Sequence, residues 1–175
     1  MKVWIDIISG DEMISDSYPH TEVFNGAGLE VKARYTTKGA EYTGVAANVD
    51  EDAEEGAAAE GGDDGAVTVV DVVDAFKYNE IIGFQKKEFM TWVKSYLAKV
   101  TEKLKANGKE ARIDGFKAGA TDMVKFIISK WDEMQVFAGA KYDMDASLCV
   151  AWQKNQEDEG PTFLFFLDGM KEEKF

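Results

Sequence analysis

The chain contains 175 residues, of which 33 are acidic and 20 are basic, giving a formal net charge of −13. That length is typical of one domain, so we expect residues 1–175 to form a single domain. The excess of acid disfavours general nucleic-acid binding, which requires clustered Lys and Arg against the phosphates. The one cysteine, Cys149, excludes an intramolecular disulfide and a cysteine-based zinc site.

The amino-terminal residues do not resemble a secretory signal. Their short apolar run is interrupted by Asp6, whereas a signal peptide has a continuous apolar core. The longest strongly apolar run, Phe163–Leu167, is far shorter than the roughly 18 residues that a membrane span needs. We therefore expect a soluble cytoplasmic protein without a membrane-spanning segment.

The first half of the chain combines two strand patterns with an acidic segment. Leu29–Tyr35 alternates apolar and polar residues, which predicts a half-buried strand. Residues 50–64 carry eight acids among Ala and Gly, and such a segment cannot offset the entropy of ordering. We therefore predict a flexible acidic loop over residues 38–66. Val67–Val73 is largely β-branched and predicts a strand buried on both faces.

The helical signal lies in residues 84–132. Apolar residues recur at helical spacing through Phe89–Leu104 and again through Phe116–Trp131. Asn107-Gly108 separates the two stripes and suits a helix end. The segment therefore predicts an antiparallel helical hairpin. It is also basic, because Phe84–Trp131 holds 11 Lys and Arg against five acids.

The remaining residues predict further strands. Ser147–Gln153 and Thr162–Leu167 flank the polar stretch Asn155–Gly160, which indicates an antiparallel hairpin, and Asp168-Gly169 is a turn signal. Strands before and after a helical pair, without a β-α-β alternation, are typical of the α+β class. We expect a compact, mostly antiparallel β core with a projecting amphipathic helical hairpin and a flexible acidic loop.

Several stretches of the chain, taken together, form a pattern that extends over essentially its whole length. They include the apolar opening with its Asp-Glu-Met and Ser-Asp pairs, an asparagine before the acidic loop, the strand after that loop, the hairpin, the region around Phe-Ala-Gly, and the carboxy-terminal tail. In chain order these are Met1–Asp16, Asn48, Val67–Val73, the hairpin with Tyr96 and Leu97, Met134–Trp152 and Phe165–Lys174. With these stretches the chain resembles the translationally controlled tumour protein family.

The resemblance implies a compact β core similar to that of small exchange factors that bind Rab-type GTPases. It also implies a non-catalytic cytosolic binding protein that needs no cofactor, with roles in growth, microtubule association and cell survival and with non-classical release from cells. The partners it implies are translation elongation factor subunits and small GTPases, together with tubulin and apoptosis regulators. Calcium binding is also proposed for the family.

The sequence departs from the family pattern at three places. Val49-Asp50-Glu51-Asp52 follows Asn48, where the family has small residues, Ser and Glu, and Ala140 replaces an acid. Phe175 stands where many members have a cysteine proposed for covalent dimers. We therefore expect no cysteine-linked dimer through the carboxy terminus.

Asp11 and Glu12 form the first candidate site. They follow an apolar strand pattern, so either they are solvated in a loop, with Asp11 capping a local turn, or they contact a partner. The resemblance implies the second role, because Glu12 corresponds to an acid implicated in contacts with GTPases or exchange subunits.

The lysines of the hairpin form the second candidate site. Charges on a helix usually form a solvated face. On an otherwise acidic protein they also steer acidic partners, and the aromatic residues of the hairpin are expected to pack inside rather than bind bases. The lysines concerned are Lys87, Lys94, Lys99, Lys103 and Lys105.

Calcium binding is the alternative function, and two acidic patterns bear on it. Asp50, Asp52 and Glu54 have the opening spacing of an EF-hand, but the loop lacks the glycine and the final glutamate of that motif. Asp143 and Asp145 have a spacing that lets both carboxylates reach one ion, which predicts weak binding at most. A buffer of this kind would control partner access through its acidic residues.

No catalytic motif is present in the sequence. The one histidine, His20, follows a proline in an expected turn and has no nucleophile near it in sequence. Cys149 lies between apolar residues and is expected to be a buried small hydrophobe rather than a reactive thiol. We therefore expect a protein that is not an enzyme.

Overall fold

A computed structural model describes residues 1–38 and 67–175. The strands are β1 (Lys2–Asp6), β2 (Glu12–Ser15), β3 (His20–Val23), β4 (Gly28–Lys32), β5 (Tyr35–Lys38), β6 (Val67–Val70), β7 (Asn79–Glu80), β8 (Gln135–Ala138), β9 (Leu148–Trp152), β10 (Thr162–Phe166) and β11 (Met170–Lys174). The α-helices are α1 (Asp71–Phe76), α2 (Lys86–Ala106) and α3 (Glu110–Ser129). Two short 3-10 turns cover Trp131–Glu133 and Leu167–Gly169.

The strands form three antiparallel sheets. The largest has six strands in the order β3-β4-β10-β9-β8-β7. A three-stranded sheet has the order β11-β1-β2, and β5 pairs with β6 in a separate ribbon. The fold class predicted from the sequence is therefore confirmed, as is the hairpin of β9 and β10, in which Leu164 is paired with Val150.

The six-stranded sheet is covered on both faces, so the protein has three layers. Alternate residues of β10 face opposite cores, as the period of two requires. Phe163 and Phe165 pack with residues of β1, β2 and α1, whereas Leu164 and Phe166 pack with residues of α2 and α3. The three-stranded sheet and α1 thus lie on one face, and the helical hairpin lies on the other.

Aromatic side chains attach the hairpin to the sheet. Trp92 stacks on Tyr96 with ring centroids 4.6 Å apart, and both rings meet the edge of Phe166 at 5.6 and 5.4 Å. At the other helix, a Cβ on Gly119 would lie 2.3 Å from the carbonyl oxygen of Phe24, so only glycine permits this approach of α3 to the β3–β4 turn. The predicted helices and their packing aromatics are confirmed, and Gly108 between them has a φ of 73°.

Two predicted strands have different bounds. Val67–Val73 is a strand only to Val70, and its first residues are exposed rather than buried on both faces. The chain then turns into α1, and at the helix start the Asp71 carboxylate accepts hydrogen bonds from Val72 N and Arg34 N at 2.7 and 3.0 Å. The predicted strand Leu29–Tyr35 is broken, with β4 ending at Lys32 and β5 beginning at Tyr35.

The predicted acidic loop, residues 38–66, lies outside the described residues except for Lys38, which ends β5. Asn48 and the incomplete EF-hand pattern of Asp50, Asp52 and Glu54 belong to the same undescribed stretch. Among the helices in the described part of the chain, none combines the length and apolar character that crossing a membrane requires.

Candidate functional site

The turn between β1 and β2 is the structural centre of the candidate site. Asp6 N donates to Asp11 O at 2.8 Å, and Gly10 N donates to Asp6 O at 2.9 Å, which closes the turn. Gly10 has a φ of 83°, which glycine adopts without a steric cost. Ile7 N donates to Gly169 O at 3.0 Å and ties the turn to the chain before β11. The backbone of this turn is therefore fixed from both sides.

The carboxylate of Asp6 organises the interior of the turn. The residue is 1% exposed, and its two oxygens accept four hydrogen bonds. Ile8 N and Ser9 Oγ donate from the turn at 2.9 and 2.8 Å, while Ser147 N and Ser147 Oγ donate from the other side at 2.9 and 3.1 Å. A buried carboxylate that accepts four hydrogen bonds, two of them from the buried Ser147, is a structural group.

The same network reaches the helical hairpin. Tyr96 of α2 shares a hydrogen bond of 2.6 Å with Ser147 Oγ, and Tyr96 is fully buried. Burial raises the pKa of the Tyr96 phenol far above its ordinary value, partly offset by the bond to Ser147. A Cβ on Gly169 would lie 1.7 Å from Tyr96 Oη, so the tyrosine fills the space that this glycine leaves. The β1–β2 turn, the helical hairpin and the 3-10 turn before β11 thus share one buried polar cluster.

Asp11 lies inside the protein. The residue is 7% exposed, and its Oδ2 accepts a hydrogen bond from Lys141 N at 3.1 Å. A Cβ on Gly139 would lie 2.6 Å from the same oxygen, so the loop after β8 needs a glycine there. Lys141 returns the contact, since its Nζ donates to Ser9 O at 2.7 Å. We interpret Asp11 as a positioning residue that holds two loops together.

Glu12 has the opposite surroundings. It is exposed, it begins β2, and β2 is an edge strand of the three-stranded sheet. Its neighbour on β1 is Ile5, which is buried. The fixed turn before it therefore presents the Glu12 side chain to solvent at a defined place.

Asp143 and Asp145 lie in the loop before β9. Asp143 Oδ1 accepts a hydrogen bond from Asp145 N at 2.9 Å, which is the geometry of a local Asx turn. Lys99 Nζ donates to Asp145 O at 3.0 Å and brings a positive charge to the loop. Within residues 1–38 and 67–175, no group of three or more His, Cys, Asp or Glu side chains is placed to hold a metal ion. Calcium binding by this pair stays a prediction.

The five candidate lysines separate into two groups. Lys87 and Lys94 are exposed in the first half of α2. Lys99, Lys103 and Lys105 instead line a groove of about 610 Å³ on the second half of the helix. The other residues of the groove are Ile8, Glu102 and Ala106. Ile8 belongs to the β1–β2 turn, so the groove adjoins the turn that ends in Asp11 and Glu12.

Sequence reasoning missed Ile8, Lys141 and the pair of Asp6 with Ser147 as parts of the site. The one available signal was the acid at position 6, which interrupts an otherwise apolar strand. A carboxylate in a buried strand needs donors, and two of the four came from Ser147, which lies 141 positions away.

Two further expectations concern His20 and Cys149. His20 begins β3 rather than lying in a turn, is exposed, and its ring meets Trp4 edge-on at 5.3 Å. Cys149 is buried in β9, as expected, and burial raises the pKa of its thiol well above the ordinary value. A protonated, enclosed thiol is a poor nucleophile.

The fold and the site define a class of protein: a three-layer α+β protein with a fixed β1–β2 turn beside a basic helical hairpin. Residues 1–171 match the family described as translationally controlled tumour protein, and the chain belongs to this family.

Solved structures agree with the family assignment. The chain is similar to the translationally controlled tumor-associated protein p23fyp from Schizosaccharomyces pombe, with 28% identity, a TM-score of 0.78 and complete coverage of both chains. It is also similar in fold to the translationally controlled tumor protein from Caenorhabditis elegans. That structure has 22% identity and a TM-score of 0.69, and the match covers 100% of this chain and 99% of the other.

Proposed function

We propose that this protein is a non-catalytic cytosolic binding protein that engages translation elongation factor subunits and small GTPases through the surface at Glu12. The observation that carries the proposal is the contrast between Asp11, which is buried and bonded to Lys141 N, and Glu12, which is exposed on an edge strand. Because the backbone of the turn is already fixed, binding through Glu12 requires no ordering of the main chain. The family resemblance supplies the kind of partner.

The test is an amide-resolved NMR titration of the labelled chain with an elongation factor exchange subunit and, separately, with a small GTPase. Saturable shifts centred on Asp11 and Glu12, extending to Lys141 across the hydrogen bond, are the expected result. Glu12→Gln removes the charge from this surface, and Glu157→Gln makes the same change at an exposed position in the β9–β10 loop.

The proposal is tested by comparing the partner affinities of these two variants. We expect Glu12→Gln to weaken binding about tenfold, as the loss of one charge contact does, and Glu157→Gln to leave it unchanged within about twofold. Equal affinities for both variants, or shifts that avoid the turn, would contradict the proposal.

A second role, binding acidic partners such as tubulin tails or apoptosis regulators through the hairpin lysines, is favoured by the position of these residues. They are distributed along one helix of an otherwise acidic protein, and Lys103 and Lys105 take part in no ion pair within the described ranges. Such a surface accelerates encounter with acidic partners, and the effect decreases as salt screens it.

A further inference from the structure

The groove between the β1–β2 turn and the second half of α2 combines an apolar residue with a basic rim. Ile8 comes from the turn and Ala106 from the helix, and Lys99, Lys103 and Lys105 outnumber Glu102 among the charged groups. The groove has a volume of about 610 Å³ and is open to solvent, so it is accessible to an extended segment.

Ile8 holds a fixed position in this groove. Its backbone N donates to Asp6 Oδ1 at 2.9 Å, and the neighbouring Ile7 N donates to Gly169 O at 3.0 Å. Its side chain is partly buried and packs against the core beneath the helical hairpin. The exposed part of the side chain is therefore held in place at the groove, which lowers the entropy that binding there would cost.

The lysines have a local role that does not explain the whole groove. Lys103 and Lys105 lie in the last turn of α2, where positive charges stabilise the negative end of the helix dipole. That role would be served on any side of the helix and requires no apolar neighbour. The helix dipole does not explain why these lysines lie beside Ile8, which the β1–β2 turn holds in a fixed position.

We propose that this groove binds an acidic peptide segment that places one apolar side chain against Ile8 and its carboxylates against Lys103 and Lys105. The inference rests on the proposed role of the hairpin in binding acidic partners and narrows that role to one place. Charge complementarity selects an acidic segment, since three ammonium groups and one carboxylate line the groove. The apolar anchor gives an affinity that salt does not remove, because burial of apolar surface is not screened.

The test uses the full chain and two synthetic fluorescein-labelled peptides, Glu-Glu-Leu-Glu-Glu and Glu-Glu-Ser-Glu-Glu, with fluorescence anisotropy as the measurement. We expect the leucine peptide to bind more tightly, and Ile8→Ala to remove about tenfold in affinity for it while leaving the serine peptide unchanged. Lys103→Glu is expected to weaken binding of both peptides about tenfold. The matched control Lys125→Glu makes the same change at an exposed position of α3, away from the groove, and is expected to change binding by less than about twofold. Thermal unfolding of each variant establishes that the fold is retained.

The outcomes separate this inference from the broader proposal. Equal losses of affinity in Lys103→Glu and Lys125→Glu, with no preference for the leucine peptide, would overturn the groove but leave a diffuse basic surface. No binding of either peptide to the unmodified chain would overturn both the groove and the acidic-partner role. Concentration-dependent self-association that Ile8→Ala abolishes, measured by sedimentation, would replace the peptide with a second copy of this chain.

Discussion

Asp11 and Glu12 are neighbours in the chain, yet their carboxylates have opposite surroundings. Asp11 is 7% exposed and accepts a bond from Lys141 N, whereas Glu12 is exposed at the start of an edge strand. The turn before them shows the same division, because Asp6 is enclosed by four donor contacts while Ile8 lines an open groove. In this region, burial separates the residues that build the turn from those that a partner can reach.

The buried and the exposed residues of this region should therefore respond in different measurements. Substitution of a buried acid should lower the free energy of unfolding, since it leaves buried donors without acceptors. Substitution of an exposed acid should change binding and leave folding intact. Four predictions test the division, beginning with the largest effect.

Asp6→Ala should destabilise the fold by on the order of 3 kcal/mol, because Ser147 N and Ile8 N both lose their acceptor inside the protein. Urea unfolding followed by circular dichroism measures the change. A loss below about 0.5 kcal/mol would mean that the buried network does not hold the turn.

Stability should decrease at alkaline pH because of buried groups that must lose protons on unfolding. Burial raises the pKa of Tyr78 and Tyr96 above the ordinary value of 10.0, and that of Cys149 above 9.0. For each group the pKa is higher in the folded state than in the unfolded state, so its contribution to the free energy of unfolding is complete at pH values below the ordinary pKa. That contribution is lost as pH rises above the ordinary pKa, at up to about 1.4 kcal/mol per pH unit for each group.

Unfolding titrations between pH 8 and pH 11 check this expectation. Above about pH 10, Tyr96→Phe should reduce the slope of unfolding free energy against pH by about 1.4 kcal/mol per pH unit. Tyr142→Phe is the matched control, since Tyr142 is exposed. A slope that responds equally to both substitutions would contradict the role of burial.

The pair Asp11→Ala and Glu12→Ala compares the two neighbours directly. The first should cost about 1–2 kcal/mol through the lost contact with Lys141 N, and the second less than about 0.5 kcal/mol. In the NMR titration with a partner the order should reverse, so that Glu12→Ala lowers the affinity more than Asp11→Ala does. Similar stability losses in both variants would show that exposure at Glu12 does not separate binding from folding.

Calcium should have the smallest effect. Lys99 donates to Asp145 O, and Asp143 already accepts a bond from Asp145 N, so an ion would have to compete with both contacts. We expect amide shifts in this loop only at about millimolar calcium, as in weak sites. Asp143→Asn should abolish them. Saturation at micromolar calcium would instead favour the buffering alternative.

Elements defined by local periodicity could be predicted from the sequence. The helical hairpin and the pair β9–β10 follow from apolar spacing, and the resemblance of the whole chain carried the family. The end of the predicted strand at Val70 could not be predicted, because Asp71 at the start of α1 accepts a hydrogen bond from Arg34 N, 37 positions earlier in the chain. A β-branched run alone favours a longer strand.

The site was predictable only in part, for a related reason. Asp11 and Glu12 were found as a pair, but sequence offers no signal for which of two adjacent acids is buried. Burial of Asp11 depends on Gly139 and Lys141, which lie in a loop after β8. The groove likewise depends on the meeting of Ile8 with the end of α2, and tertiary contacts of that length leave no local pattern.

The position of Cys149 allows the separation of the protein layers to be measured by the rate of thiol labelling. It is the one cysteine of the chain, and β9 pairs with a strand on each side of it. The thiol packs in the core between this sheet and the layer of β1, β2 and α1, so a reagent reaches the sulfur only when that layer moves away. The labelling rate of the unmodified protein therefore reports how often the layers separate. A partner that stabilises the packed layers should lower this rate.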